Sequence, residues 1–296
     1  MPKLRYAIVD VFTAVRWTGN PLSVVLDSGG LSPGQMQAIA REMNLSETTF
    51  ITRRAASVEA QHGVAVRIFT PKEEVPFAGH PTLGTAWMLW NSDHTATVTL
   101  DVKGGRIPVT FEETKAGVFG EMLQPEPTFG QTHTATVIAE LAGVQSEDLV
   151  DDIPVQTVST GRPKIMVPLR SLAAIRRLKP DFARIESYCR STDGATGFYY
   201  VTRETEDSHA RMHARNILSW TEDPVTGSAG GACIAWMVKH GWARSGERIM
   251  IEQGAEVHRA GAMFGSALLR GAAVTEVRLA GQCVLAAQGE LMLGAP

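Results

Sequence analysis

The sequence predicts an α+β protein built of two similar halves, and three observations lead there. Runs rich in β-branched and aromatic residues, such as VAVRIFT and GFYYVT, alternate with helical patterns along the chain. Two glycine-led segments, PFAGHPTLGTAWMLW at 76–90 and TGSAGGACIAWMVKHG at 226–241, are apolar on nearly every side, as helices buried in a core are. Each carries the triplet AWM, at Ala86 to Met88 and Ala235 to Met237, after a turn of small residues. On these residues alone, two unrelated buried helices explain the triplet equally well.

In chain order, LRYAIVDVF reads as a strand, and TGNPLSVVLD as a turn built on Asn20 and Pro21 followed by a second strand. SPGQMQAIAREM is helical: Ser32 can cap it, Pro33 suits the first turn, and Met36, Ile39, Ala40 and Met43 recur at helical spacing. TTFITR and VAVRIFT read as strands, and the first apolar helix follows. VTLDVKGGRIPVTFEE is a hairpin around Gly104 and Gly105. LQPEPTFGQ, 123–131, has two prolines, a glycine and little periodicity, which reads as an interdomain linker. Beyond it, ATVIAELAGV is a helix and IMVPL and GFYYVT are strands. After the second apolar helix, RIMIEQG, VHRAGAMFG and VRLAGQCVLAAQGELML are strand-like runs split by glycines.

Composition limits the function classes. A chain of 296 residues, 44% hydrophobic and 20% charged, has the make-up of a globular protein with a sizeable core. A net charge of -3 and a pI near 6.3 offer no attraction for a polyanion, so neither nucleic acid nor an anionic membrane is expected as a partner. Small molecules are favoured. Cys189, Cys233 and Cys283 form no CxxC pair, which argues against a zinc or disulfide framework and fits a reducing cytoplasm. No apolar run is long enough to span a bilayer, and MPKLRYAIVDVF, broken by Asp10, lacks a signal-peptide core. A cytoplasmic protein is expected.

Three stretches place polar groups at turns or helix starts. In NLSETTF, 44–50, Ser46 and Glu47 lie between a helix and a strand, where a carboxylate can edge a cleft; a solvated loop charge is the plainer alternative. In PFAGHPTLG, Gly79 allows close backbone approach, Pro81 has no N–H to lose, and the first-turn amides can hold a small anion. His80 beside them could exchange a proton, or simply cap its own helix. In EDPVTGSAGG, 222–231, Gly227, Ser228 and Ala229 could form a second anion cradle with Asp223 nearby; an ordinary serine N-cap with an acidic neighbour is the alternative. His209 and His213 have zinc spacing but no accompanying glutamate motif, so no metal is expected. TGSAG lacks the first glycine of a hydrolase elbow, leaving a Ser228, His80, Asp223 triad as a secondary reading.

Together, TGNPLSVV, REMNLSETTF, RIFTPKEEVPFAGHPTLGTA, GRPKIMVPL, EDPVTGSA and IEQG, in this order over nearly the whole chain, resemble the phenazine-biosynthesis (PhzF-like) isomerase family. The resemblance implies a diaminopimelate epimerase-like fold of two pseudo-symmetric domains, each a curved sheet round a central helix, with the active site in the cleft between them. Expected boundaries are 1–125, completed by a C-terminal strand at about 284–296, and 130–283. It further implies Glu47 as the catalytic carboxylate, with His80, Asp223 and Ser228 as its companions. Gly79 and Gly227 then bind the substrate carboxylate, beside Ser46 and Ala229. Where the epimerase relative carries paired cysteines, this chain has Ala78 and Thr226, which argues against two-thiol racemisation. The implied activity is cofactor-independent relocation of a proton on a small unsaturated carboxylic acid, as in trans-2,3-dihydro-3-hydroxyanthranilate isomerase. A homodimer is the family's habit. MHARNILS and RAGAMF depart from the family's pattern near the expected substrate wall, so the catalytic residues carry over more securely than the substrate. A non-catalytic carboxylate-binding or scaffolding protein is the third reading.

Overall fold

The computed structural model describes residues 3–192 and 194–294. Residues 1, 2, 193, 295 and 296, which the expected domain boundaries include, lie outside the described residues. The chain divides into two compact units, Met1–Leu123 with Ala280–Pro296, and Gln124–Leu279. No described helix is long and apolar enough to cross a membrane.

In the first unit, β1 (Lys3–Val11) pairs antiparallel with β2 (Asn20–Val25), and β2 runs parallel to β3 (Thr48–Thr52). β3 is antiparallel to β4 (Val64–Phe69), whose far edge is shared between the two-residue β5 (Glu74–Val75) and the parallel β6 (Thr97–Val102). β7 (Gly105–Thr114) and β8 (Gly117–Leu123) continue the sheet. Beyond α3 (Gly79–Asp93), β18 (Cys283–Met292) pairs with β1 from the chain's far end. α3 touches β1, β2, β3, β6, β7 and β8, so the sheet curves round it. Gly84 permits that enclosure, since a Cβ there would meet Val11 Cγ2 at 2.7 Å and Leu22 Cδ2 at 2.8 Å. On the outer face, α1 (Pro33–Met43) presents Met36 and Ala40 to Val25, Phe50 and Phe69.

The second unit repeats this wiring. β9 (Thr128–Thr132) and β10 (Gln156–Ser159) are antiparallel, as are β10 and β11 (Lys164–Pro168), while β11 and β12 (Gly197–Thr202) are parallel. β12 is antiparallel to β13 (Met212–Leu218), which shares its far edge between the two-residue β14 (Glu222–Asp223) and the parallel β15 (Ile249–Gln253). β16 (Gly261–Arg270) pairs with β15, and β17 (Ala273–Gly281) follows. α7 (Gly227–Lys239) takes the place of α3, and every residue from Gly227 to Val238 is buried. α4 (Ala135–Ala142), α5 (Leu172–Arg176) and α6 (Phe182–Arg190) cover the other face through Phe198, Tyr200 and Ile217. Strand β12, buried on both sides, is accordingly apolar almost throughout.

Several expectations held in detail. Ser32 caps α1 with its side chain and forms a reciprocal capping box with Gln35, with Pro33 in the first turn. The Gly104–Gly105 hairpin joins β6 and β7, and Gly105 has φ +120°. Others are corrected. Asn20 and Pro21 lie within β2, which pairs with β3 only from Ser23 onward, so proline removes no ladder bond on that edge. The last four residues of the expected linker, 128–131, belong to strand β9. Within VHRAGAMFG the strand starts only at Gly261, because Ala255–Val257 form a 3-10 turn closed by His258 at φ +58°. The short helices α2 (Ala56–His62), α5 and α6 carry no pattern strong enough to have been expected.

Candidate active site

Within the first unit, Glu47 precedes β3 and His80 stands in the first turn of α3. Glu47 is only 8% exposed, so it is not a solvated loop charge. His80 is 5% exposed, and its Nε2 lies 3.6 Å from Glu47 Oε2. The N-cap position of α3 is Ala78, which makes no side-chain cap bond. Pro81 contributes no N–H, and Thr82 is already committed, its amide and hydroxyl both donating to Ala78 O at 3.2 and 2.8 Å. Gly79 is buried, whereas Ser46 is exposed. An acid and an imidazole thus share a sheltered place at the positive end of a helix, where a carboxylate can accept a proton and a substrate anion can be held.

Within the second unit, Asp223 ends β14, and Ser228 and Ala229 follow Gly227 inside the first turn of α7. Asp223 is 8% exposed, Ser228 6% and Ala229 fully buried. Ser228 is not the N-cap that the alternative reading made it; that position is Thr226, and its side chain makes no cap bond. The Thr226 hydroxyl instead donates to Asp223 Oδ2 at 2.5 Å. Asn216 Nδ2 and Gln253 Nε2 donate to the same hydroxyl at 2.7 and 3.2 Å. Gln253 also donates to the Asp223 carbonyl and accepts from the Thr226 amide and from Tyr199 Oη. Burial, with Cys233 and Asp223 nearby, holds the Tyr199 phenol well above its usual range, so it stays a neutral donor.

His213, whose spacing from His209 suggested zinc only weakly, is engaged otherwise. Its ring nitrogens contact Glu252 at 2.7 Å and Glu256 at 2.9 Å, and His209 bonds Asp207. No group of residues able to hold a metal ion occurs among the described residues.

Sequence reasoning missed Asn216, Thr226, Gln253 and Tyr199, and it also missed a duplicated ion pair. Arg67 grips Glu74 through two bonds of 2.7 and 2.8 Å, and Arg215 grips Glu222 through two of 2.9 and 2.7 Å. Each pair clamps the two-residue strand that leads into the buried helix. The signal was present: R-x6-E-x4-G occurs at Arg67, Glu74, Gly79 and again at Arg215, Glu222, Gly227. It lies one residue out of step with the AWM triplet and is masked by it.

Residues 9–289 match the family model for phenazine biosynthesis-like proteins, PhzC-PhzF. The chain belongs to that family. It is 33% identical over 289 residues to the trans-2,3-dihydro-3-hydroxyanthranilate isomerase of Pseudomonas chlororaphis, covering 97% of this chain and 99% of the relative. The isomerase of the same name from Pseudomonas aeruginosa is 32% identical over 290 residues, covering 98% and 99%. The solved structure of a Bacillus anthracis phenazine biosynthesis protein of the PhzF family superposes with a TM-score of 0.89 at 27% identity, covering 99% and 100%. A hydroxyproline epimerase from Agrobacterium vitis, TM-score 0.66 at 10% identity with 99% and 94% covered, shares the fold alone. The protein is an isomerase of the PhzF family with an epimerase-like α+β fold.

Proposed function

We propose that this protein relocates a proton on a small unsaturated carboxylic acid without a cofactor, as a relative of trans-2,3-dihydro-3-hydroxyanthranilate isomerase. The observation that carries the reading is the buried Glu47 with His80 Nε2 at 3.6 Å, at the start of an apolar helix in a PhzF-family chain. Glu47 takes a proton from a carbon made acidic by the adjacent unsaturated system. The C–H bond breaks onto a Glu47 oxygen, the electron pair moves through the conjugated system, and the proton returns at its other end. His80 shares the proton traffic; Asp223 and Ser228 join it in orienting the substrate. The helix-start amides at Gly79 and Gly227 receive the carboxylate, with Ser46 and Ala229 beside them. A homodimer acting in the cytoplasm belongs to the same proposal.

Glu47→Gln tests it. With trans-2,3-dihydro-3-hydroxyanthranilate in heavy water, the parent protein incorporates deuterium and isomerises the probe, and Glu47→Gln loses both, roughly 10²- to 10⁴-fold, while its circular dichroism is unchanged. Exchange retained at the parent rate excludes Glu47 as the base. A serine hydrolase using the Ser228, His80, Asp223 triad would instead be labelled at Ser228 by a phosphonate, whereas the proposed isomerase stays unlabelled.

A further inference from the structure

Thr226 stands where a hydroxyl ordinarily caps its helix, yet α7 has no side-chain cap. The hydroxyl is spent on Asp223. The Thr226 amide and the Asp223 carbonyl fix which end of the Gln253 amide faces which, since the first can only donate and the second can only accept. Gln253 Nε2 and Asn216 Nδ2 then occupy both lone pairs of Thr226 Oγ1. A hydroxyl has one hydrogen, and with those two donors in place it points at Asp223 Oδ2.

The first unit supplies an internal control. By strand register, the positions matching Asn216, Asp223, Thr226 and Gln253 are Ile68, Val75, Ala78 and Val102. The same wiring therefore forms with all four apolar, so the fold does not require the polar set. Buried polar networks are costly unless completely satisfied, and this one appears only where the aspartate does.

We propose that Thr226, oriented by Asn216 and Gln253, is a positioning residue that holds the Asp223 carboxyl group in one aimed, hydrogen-bonded orientation for the isomerase reaction. Its catalytic consequence rests on the reading of Asp223 as a site residue given above; the hydrogen-bond geometry does not. Thr226→Val removes the hydroxyl at constant shape, and Thr226→Ser keeps it.

Two measurements on the full chain test this. In the first, the ¹³Cγ resonance of Asp223, assigned by its loss in Asp223→Asn, moves in Thr226→Val and stays in place in Thr226→Ser. In the second, turnover of trans-2,3-dihydro-3-hydroxyanthranilate shows kcat lowered about 10- to 100-fold in Thr226→Val with KM changed less than about 3-fold, restored by serine. The double variant Asp223→Asn/Thr226→Val is then no slower than Asp223→Asn alone. An unmoved resonance in Thr226→Val overturns the inference whatever the turnover. Full turnover by Asp223→Asn overturns the role of Asp223 instead, while the resonance still decides the geometry. Should Thr226→Val not fold, Asn216→Leu, which removes the donor at 2.7 Å and frees the hydroxyl to rotate without touching the Asp223 carbonyl, carries the resonance test: a shift supports the inference, and no shift refutes it.

Discussion

Glu222→Gln and Glu74→Gln make the same chemical change at matching positions of the two units, and their costs are expected to differ several-fold. Arg215 and Glu222 side chains are only 10% and 12% exposed, and Arg215 Nη1 also donates to Ile175 O at 2.8 Å. Neutralising Glu222 leaves a guanidinium charge in that interior. Removing one partner of a buried pair costs about 3–5 kcal/mol, and since glutamine still accepts one of the two bonds, a loss of about 3 kcal/mol is expected. Arg67 and Glu74 are 34% and 23% exposed, and the Arg67 guanidinium also lies 5.1 Å from the Phe69 ring. Water reaches that charge, so Glu74→Gln should cost about 1 kcal/mol or less. Urea denaturation followed by fluorescence and circular dichroism reads both. If the units melt separately, the Glu222→Gln loss belongs to the transition of residues 124–279. Equal losses, or a loss under about 1 kcal/mol for Glu222→Gln, refute burial as the factor that decides the strength of these pairs.

Stability should also depend on pH through His213. Burial pulls its ring pKa down from 6.5, but hydrogen bonds to Glu256 and Glu252, and their charges, outweigh that and leave it raised. A raised cationic group contributes stability that is full below its unfolded value and is lost as pH climbs through the folded one. The protein should therefore lose stability from about pH 6.5 upward, and His213→Gln should flatten that slope in melts taken at several pH values; an equal slope in both proteins contradicts this. Gly84→Ala gains about 1 kcal/mol of helix propensity but drives a methyl to 2.7 Å from Val11, a clash costing about 1–3 kcal/mol, so a net loss in denaturant midpoint is expected. A more stable Gly84→Ala protein means that β1 and β2 yield to α3.

Much of the architecture could be read from local chemistry. The capping box at Ser32, the glycine hairpin at Gly104–Gly105 and the two all-apolar helices each announce themselves within a few residues. The linker reading of 123–131 failed for the reason such readings fail. Prolines and a glycine conceal a strand whose formation depends on β10, far along the chain. The candidate site was legible in part. Motif order singles out Glu47, His80, Asp223 and Ser228, but nothing around Asn216, Tyr199 or Gln253 marks them as polar neighbours of Thr226. Each sits in a strand, and Tyr199 and Asn216 meet only because β12 and β13 pair at that register.

That the two halves share one wiring was decided by strand pairing; strands mixed with helices, and a glycine-led apolar helix in each half, were legible in the pattern alone. Those properties are carried by turn geometry and by hydrophobic periodicity over a dozen residues, and both are local. Whether an acid is solvated or sheltered, and which way a hydroxyl's single hydrogen points, is settled by groups ten or more residues away that strand pairing and helix packing bring within 3.6 Å. Glu47 at 8% exposure and Thr226 turned from its helix toward Asp223 are facts of that second kind.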